Sequence, residues 1–520
     1  MKKITIFLLL SIILFLPFLL SAQNKILITG EVTDSGARPL VNANIVIVDD
    51  SLGCTSNGQG YYVLTLPAYY DGKEVILKVQ YVGYGEQTKK IIISEGINRH
   101  NFQLQSTFEE IKPIIVSAQR REENLQNVPV SITVMDNDQM KKRGLNRVVD
   151  LQYSVPNFFL TDERFNFNAS SSIRGISGSS RASGIEIRAN YYVDDVYLGR
   201  SVAVNQDLFD VERVEILKGP QGTLFGKNTV SGVINITTNK PVNKWESKIS
   251  VDAGNFNYLG STVILNTPLK ENKLFSRFSG KMMRQDGFIT NVYNNKDLNG
   301  QNIINGRLQL RYLPYPNFDI NVSIDALKER KERRAAAIEI EGPGYDVAPG
   351  PREVSHNLEE FEHRDIFGSA LSMMYHTKNM YSIKSVTAFR KVKSWGNLDE
   401  DLSPEHGPVT NYANKEAHFT QELRLISPHL THFNFVMGLF YFYQTADFIF
   451  ELKTPPDWLD NPNFIFTSDG PVRTNSIAGY FHGNLNIRSD LLLFGGLRYT
   501  YEYKSVIWNQ FDNHDVYLKY

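Results

Sequence analysis

The chain holds one cysteine, Cys54, among its 520 residues. That excludes an intrachain disulfide and a cysteine-built metal centre. The lone thiol is read as a small packed or surface group. Net charge is also lacking: 55 Lys and Arg stand against 56 Asp and Glu, a balance of −1. A broad basic face of the kind that grips nucleic acid is therefore excluded. Beyond the N-terminus, no run reaches the roughly 18 consecutive apolar residues of a membrane helix. If the mature chain sits in a bilayer, it must do so as a β-barrel. No Walker A pattern, G-x-S-x-G elbow or CxxC occurs. No cofactor is expected, no catalytic or metal residue is assigned, and the chain is not expected to be an enzyme.

What is present is aromatic and β-prone. The chain has 26 Tyr and 31 Phe, while charged residues make up 21%; that mix suits strands. At the N-terminus, Lys2 and Lys3 precede an apolar run from Ile4 to Leu20 and then Ser21-Ala22. This is expected to be a signal peptide over 1–22, cleaved after Ala22. A retained anchor fits less well, because the run is short and Pro17 interrupts it.

Residues 23–105 carry short alternating runs, from Ile26–Val32 to His100–Leu104, separated by Gly, Pro, Asn and Asp. Such spacing predicts a small antiparallel sandwich. The pieces GEVTDSGARPLVNANIVI, TSNGQGYYVLTLP and VQYVGYGEQTKKI resemble the carboxypeptidase-regulatory-like domain.

The most informative segment is 211–241, VERVEILKGPQGTLFGKNTVSGVINITTNKP. Two strand-like runs flank a turn punctuated by Gly219, Pro220, Gly222 and Gly226. It resembles the end of the plug domain of TonB-dependent outer-membrane receptors. The resemblance extends through RREENLQNVPVSITVMDNDQM, Ile173-Arg174-Gly175-Ile176 and Tyr192-Val193-Asp194-Asp195-Val196-Tyr197. It implies a small α/β plug over 120–242, lodged in a barrel. Where Asp195 stands the family usually has glycine, which puts that turn's geometry in question.

The linker 106–119 contains the apolar strip Ile114-Ile115-Val116-Ser117-Ala118. On its own it is an ordinary linker strand. Before a plug, the resemblance implies a TonB box, which adds as a strand to periplasmic TonB through main-chain hydrogen bonds. The resemblance also implies a plug–barrel charge cluster. Its plug side would be Arg174 and Lys218, and its barrel side Glu422 and Glu502, both expected to point inward. Candidate ligand-binding residues at the plug apex are Arg174, Ser177, Arg181 and Arg188.

Residues 243–520 alternate apolar with polar. Leu308, Leu310 and Tyr312 oppose Arg307, Gln309 and Arg311, and Tyr499 and Tyr501 oppose Arg498 and Thr500. A period of 2 places the two sets on opposite faces of a sheet. About 11 such strands are expected, joined alternately by short turns and long polar loops, the mark of an outer-membrane barrel. Family barrels have about twice that number. An open sheet in lipid leaves unpaired edges, so the chain is expected to be an N-terminal portion holding about half a barrel.

Two histidine motifs have bland readings. His356 and Glu359 form an H-x-x-E, the spacing of a zinc peptidase pair, in a long charged loop better read as solvated. His406, His418, His429 and His432 are near in sequence but span a loop, a strand and a turn. Taken together, the fold class is mainly β: a sandwich, a plug and a transmembrane antiparallel barrel. The implied function is TonB-dependent import of a scarce ligand, a siderophore–iron complex or similar, across the outer membrane of a Bacteroidetes-like bacterium. The implied partners are TonB, outer-membrane lipid and an extracellular small ligand, with no nucleic acid. A secreted β-rich adhesion protein and a TonB-dependent glycan receptor are the alternatives.

Overall fold

The computed structural model describes residues 26–34, 39–57, 59–105, 107, 115–161, 170–178, 187–200, 203–332, 350–428, 430, 432–456, 463–488, 491–513 and 516–519. The expected signal peptide lies outside them, as do Ile114, Arg181 and His429. The chain divides into two units, Met1–Ile114 and Ile115–Tyr520.

The first unit is a sandwich of two four-stranded sheets. One joins Tyr61–Leu66, Ile26–Asp34, Ile97–Arg99 and Phe102–Leu104; the other joins Gly53–Thr55, Asn44–Ile47, Glu74–Gln80 and Gln87–Ile92. Alternating side chains such as Ile26, Ile28, Ile45, Leu64 and Leu77 meet in one core. The sheets are not purely antiparallel, as the spacing had implied. Ile26–Asp34 pairs in parallel with both Ile97–Arg99 and Phe102–Leu104. The unit's last strands return beside its first, running in the same direction. That pairing is invisible to local periodicity.

Cys54 is half-buried in this sandwich. Burial pushes its thiol up to about 11, only partly offset by a hydrogen bond from the Val63 backbone. Only the thiolate attacks an electrophile. Cys54 is therefore expected to react with iodoacetamide at pH 7.5 at least tenfold more slowly than free cysteine. Equal rates, followed by mass spectrometry of the folded chain, would contradict the packed reading.

In the second unit, the plug-like segment builds a five-stranded mixed sheet. Its order is Ile132–Asp136, Val211–Lys218, Gly232–Thr238, Ala189–Val193 and Val196–Tyr197. The short helix Asn137–Lys142 follows the first strand because Asp136 caps it, accepting the Gln139 amide at 2.7 Å. Gly232 is required where it stands: a Cβ there would lie 2.2 Å from the Leu217 carbonyl oxygen. Strands Ala189–Val193 and Gly232–Thr238 are parallel.

Around this sheet wrap eleven long antiparallel strands. They are β1 (Glu246–Gly254), β2 (Tyr258–Lys270), β3 (Leu274–Gln285), β4 (Gln301–Tyr315), β5 (Phe318–Glu332) and β6 (Phe361–His376). Then come β7 (Ser382–Asp399), β8 (Val409–Ile426), β9 (Phe433–Lys453), β10 (Ile465–Arg488) and β11 (Leu491–Val506). Each pairs with the next in sequence. Among the described residues, β1 pairs only with β2 and β11 only with β10. Two short strands, Asn509–Asp512 and Val516–Lys519, continue the ladder on the far part of β10.

Lengths grow from 9 residues in β1 to 24 in β10, well beyond the about 9–11 that cross a bilayer with tilt. The excess lies towards the long connections. Turns of a few residues link β2–β3, β4–β5, β6–β7, β8–β9 and β10–β11; the other links beyond β2 are longer. No helix among the described residues is long and apolar enough to cross a membrane.

The inner and outer faces separate as alternation demands. Leu308 is 43% exposed and Tyr499 74%, facing outwards, while Gln309 between its apolar neighbours is 2% exposed. Ile320 is half-buried on the outer face. The inner face supplies Met283, Ile303, Leu327, Ile366, Val392 and Tyr412 to the same core as Val148, Leu151, Val214 and Ile234 of the small sheet. The barrel wall and the inner domain thus share one core. Leu308→Arg, placing a charge in the apolar outer face, is expected to cost about 2–4 kcal/mol, the cost of a cation on the outer face of a membrane barrel. Leu308→Tyr is expected to be near neutral. Equal urea midpoints for both variants in detergent micelles would contradict the assigned face.

Candidate functional site

The linker strip does not hang free. Ile115–Val116 pairs with Glu123–Asn124, and Val116 and Ala118 are buried. Ser117 sits between them and is held by a single carboxylate. Its amide donates to Glu215 Oε1 at 3.0 Å and its hydroxyl to the same oxygen at 3.1 Å. Glu215 is fully buried. It also accepts from Arg213 Nε at 2.8 Å and Asn235 Nδ2 at 3.4 Å. Asn235 donates to the Ser117 hydroxyl as well, at 3.1 Å. Two residues on, the Gln119 side-chain Oε1 accepts from Asn484 Nδ2 of β10 at 2.8 Å. The strip is thus tied to the small sheet and to the barrel wall.

The second tie runs through Asp195. The hairpin joining Ala189–Val193 to Val196–Tyr197 turns on Asp194 and Asp195, with φ of 49° and 68°. Both central residues need φ > 0, as in a type I′ turn. Glycine adopts this without strain, while aspartate tolerates it. Both carboxylates are used. Asp194 accepts from the Thr238 amide at 2.9 Å and its hydroxyl at 2.6 Å. Asp195 receives three cations: Arg120 at 2.8 Å, Lys384 of β7 at 2.6 Å and Arg424 of β8 at 2.9 Å. Arg424 is 1% exposed and also reaches Glu422 at 2.6 Å, which accepts from Tyr480 at 2.6 Å. Arg120 lies over the rings of Tyr192 and Phe225, at 4.4 and 4.1 Å. One aspartate therefore joins the residue just after the linker, the inner sheet and the barrel.

The charge cluster expected from sequence is rearranged. Glu422 and Glu502 do face inwards, but they meet other cations. Glu422 pairs with Arg424 on its own strand, and Glu502 of β11 pairs with Lys227 at 2.8 Å. Arg174 and Lys218 form no ion pair with either glutamate among the described residues. The physical reason lies in the turn between Ser170–Ile173 and Ile176–Ser177. Arg174 sits there with φ 55° and an exposed side chain. Its guanidinium lies instead 3.5 Å from a Cβ built at Gly219, beside Lys218.

Of the candidate ligand residues, Arg174, Ser177 and Arg188 are exposed. The Arg188 side chain covers Gly178, with Cγ 2.8 Å from a Cβ built there. Strands Ala189–Val193 and Gly232–Thr238 run towards the short turns, since Asp195 meets Lys384 and Thr238 meets Gln309. Arg188, Gly219 and Ser231 accordingly lie at the other end of that sheet. In the H-x-x-E motif, His356 is buried with its backbone paired to Asn291, and Glu359 bonds Lys296. Among the described residues, no three His, Cys, Asp or Glu side chains are grouped to hold a metal.

Residues 124–233 match the TonB-dependent Receptor Plug Domain, and residues 28–116 the CarboxypepD_reg-like domain. This chain carries a domain that matches the plug of TonB-dependent receptors. The Pesticin receptor of Yersinia pestis is 28% identical over 186 residues, 36% of this chain and 27% of that protein. The Iron-regulated outer membrane virulence protein of Vibrio cholerae is 26% identical over 185 residues, 34% of this chain and 25% of that one. In structure, the plug and strands resemble the ferric yersiniabactin uptake receptor FyuA from Yersinia pestis. That likeness has a TM-score of 0.65 at 22% identity and covers 75% of this chain and 59% of that one. It shows the fold: an antiparallel receptor barrel around a plug. The chain therefore spans well under two thirds of the length of the relatives it matches.

The sequence does not mark the Ser117–Glu215 contact or the roles of Asp195 and Arg424 as ion-pair partners. Asp195 alone carried a signal, since it departs from the family's glycine. An acidic residue placed where backbone freedom is wanted must repay its strain through its side chain.

Proposed function

We propose that this chain is the plug-bearing part of an outer-membrane importer that takes up a scarce ligand, an iron chelate or similar, and is driven by TonB. The observation that carries the reading is the docked strip. A segment with a main-chain edge suited to strand addition is held by Glu215, with Arg120 just beyond it held by Asp195, at the short-turn end of the barrel. Import then needs no covalent chemistry. A ligand at the long-loop end shifts the plug towards a state with the strip released. TonB captures Ile114–Ala118 and pulls, and the buried ion pairs give way under load. Such pairs set position more than they add stability, which suits a part that must be both seated and removable.

The matched proteins support an iron chelate as ligand, since their names include an iron-regulated outer membrane protein and a ferric yersiniabactin uptake receptor. The exposed cations Arg174 and Arg188 at the far end of the sheet suit an anionic chelate. The test is radioiron uptake by cells expressing the chain, with ferric hydroxamate and ferric catecholate probes, in backgrounds with and without TonB. Uptake of at least one probe is expected only with TonB present. Equal accumulation in cells lacking the chain would overturn the reading.

A further inference from the structure

Two loops at the long-connection end of the barrel are tied together, and the tie is built on acids. The segment ahead of β6 is anchored first. Its strand Glu353–Val354 pairs in parallel with Ile289–Asn291. Asn291, fully buried, donates to the His356 carbonyl at 2.8 Å and accepts the His356 amide at 3.0 Å. That segment then grips the loop 400–408 between β7 and β8. The Asn357 amide donates to the Ser403 carbonyl at 3.0 Å, and its side chain to the Glu405 carbonyl. Asn397, near the end of β7, donates to the Glu359 carbonyl at 3.2 Å and accepts the Phe361 amide at 2.8 Å.

Asp399, the last residue of β7, lies within this contact and is 1% exposed. Glu360 of the facing segment, itself buried, accepts the Asp399 amide through Oε1 at 2.8 Å. Asp399 Oδ1 accepts the Asp401 and Leu402 amides at 3.3 and 3.2 Å, which turns the loop back on itself. The Asp401 carboxyl thereby comes within hydrogen-bond reach of the Asp399 carboxyl. Asp401 is pinned there: its Oδ2 accepts the Ser403 hydroxyl at 2.6 Å, and a Cβ at Gly407 would collide with its Cγ. Opposite Asp399 on β8 stands Val409, and beyond it Lys453 of β9 pairs with Glu451 at 2.8 Å. Glu400, Glu405 and His406 of the loop are exposed, while His356 is buried on the facing segment. Two carboxyl groups in hydrogen-bond contact are not both ionised without strong repulsion. Burial, with the hydrogen bond and charge of Asp401, pushes the Asp399 carboxyl up to about 8; Glu360 adds to the rise and the Leu402 amide opposes it.

We propose that Asp399 and Asp401 share a single proton while the two loops are joined, which makes the joint a proton-sensitive closure at the long-connection end of the barrel. Closing takes up that proton, because in the opened loop both carboxyls meet water and ionise in the ordinary acid range. The joint is therefore strongest in acid. Its advantage shrinks as pH rises from about 4 to about 8, by up to about tenfold per unit, and is constant above that. Once the proton has left, two like charges face each other across a buried contact, and 400–408 parts from 356–361. The inference concerns these loops alone and holds whichever ligand the barrel takes.

The test follows amide hydrogen exchange of the detergent-purified full chain by mass spectrometry, across pH and corrected for the intrinsic rate. Peptides over 356–361 and 399–408 report the joint, and Val211–Lys218 is the reference. Between about pH 5.5 and 7.5 the parent should lose at least about 30-fold of its protection in both loop peptides, with the reference unchanged. Asp399→Asn keeps an oxygen for the Asp401 and Leu402 amides, and Asp401→Asn keeps one for the Ser403 hydroxyl. In each, a neutral amide replaces one acid of the pair. Asp399→Asn should stay protected at the lower pH and lose less than about threefold on the way to the higher. Asp401→Asn should keep the joint and lose at least about threefold less than the parent. A parent without pH dependence overturns the proposal. A full slope persisting in either variant does the same, since it places the titrating group elsewhere, His356 included. Loss of protection at the lower pH in both variants, with the reference strand intact, is equally fatal. Where one variant also loses the reference strand, the other decides.

Discussion

Replacing Asp195 by asparagine is expected to unseat the plug from the barrel wall. Asparagine tolerates φ of 68° at this turn position as well as aspartate does, so the backbone is kept. What is lost is the negative charge that faces Arg120, Lys384 and Arg424. The side chains of Arg120 and Arg424 are only 3% and 1% exposed, so water does not take the carboxylate's place. Breaking a buried pair by removing one partner costs about 3–5 kcal/mol. Glu422 remains to Arg424, which points to the lower end of that range. Amide exchange at Tyr191–Tyr197 and Ser117–Arg121 should then accelerate at least 100-fold in the purified chain. Asp195→Gly decides between charge and backbone. It relieves the turn's strain, on the order of 1 kcal/mol, yet removes the same carboxylate. It should therefore loosen the plug in the same direction. A stabilising Asp195→Gly would mean that turn strain outweighs the ion pairs.

Glu215→Ala is expected to release the linker strip while leaving the barrel assembled. The carboxylate gathers the Ser117 amide and hydroxyl, Arg213 and Asn235. Hydrogen bonds to a charged group contribute about 1.5–3 kcal/mol each. The Ser117 amide, freed from Glu215, should exchange 10- to 100-fold faster. Glu215→Gln keeps an acceptor oxygen, so it should give a smaller effect of the same sign. Arg213 retains Glu212 at 2.6 Å, so the loss is not a stranded cation. Ser117→Ala removes the hydroxyl but not the amide bond, and should fall between wild type and Glu215→Ala. An unchanged exchange rate at Ser117 in all three variants would show that Ile115–Val116 pairing alone holds the strip.

Much of this architecture could be read from sequence, because barrel strands alternate by residue and their faces meet very different surroundings. Leu308 outside and Gln309 inside follow from the period alone. Strand ends were less legible. Alternation in the sequence is clear only over 432–446 and 475–487, whereas the strands run Phe433–Lys453 and Ile465–Arg488. Towards the long connections the outer face is no longer held apolar, so FIFELK and IFTSDGPVRT pair without an alternating signature. The charge cluster was the least legible feature. Arg424 and Asp195 are 229 positions apart, and nothing local marks them as partners. The family pattern pointed to Arg174 and Lys218, but the tight turn at Arg174 carries that side chain elsewhere. Similarly, the apolar strip was readable as a strand that needs a partner, yet its present partner, Glu123–Asn124, was not.

The central claim is that Ile115–Ala118 is a docked strand that a periplasmic partner captures once Glu215 lets go. It is tested most directly by titrating the purified full chain with the periplasmic domain of TonB. Apparent affinity scales with the fraction of chain whose strip is free. The account predicts that Glu215→Ala binds at least tenfold more tightly than wild type. It also predicts that Ile115→Pro, which removes a backbone donor needed for strand addition, abolishes binding in either background. Wild type and Glu215→Ala binding alike, or undiminished binding by Ile115→Pro, would contradict it.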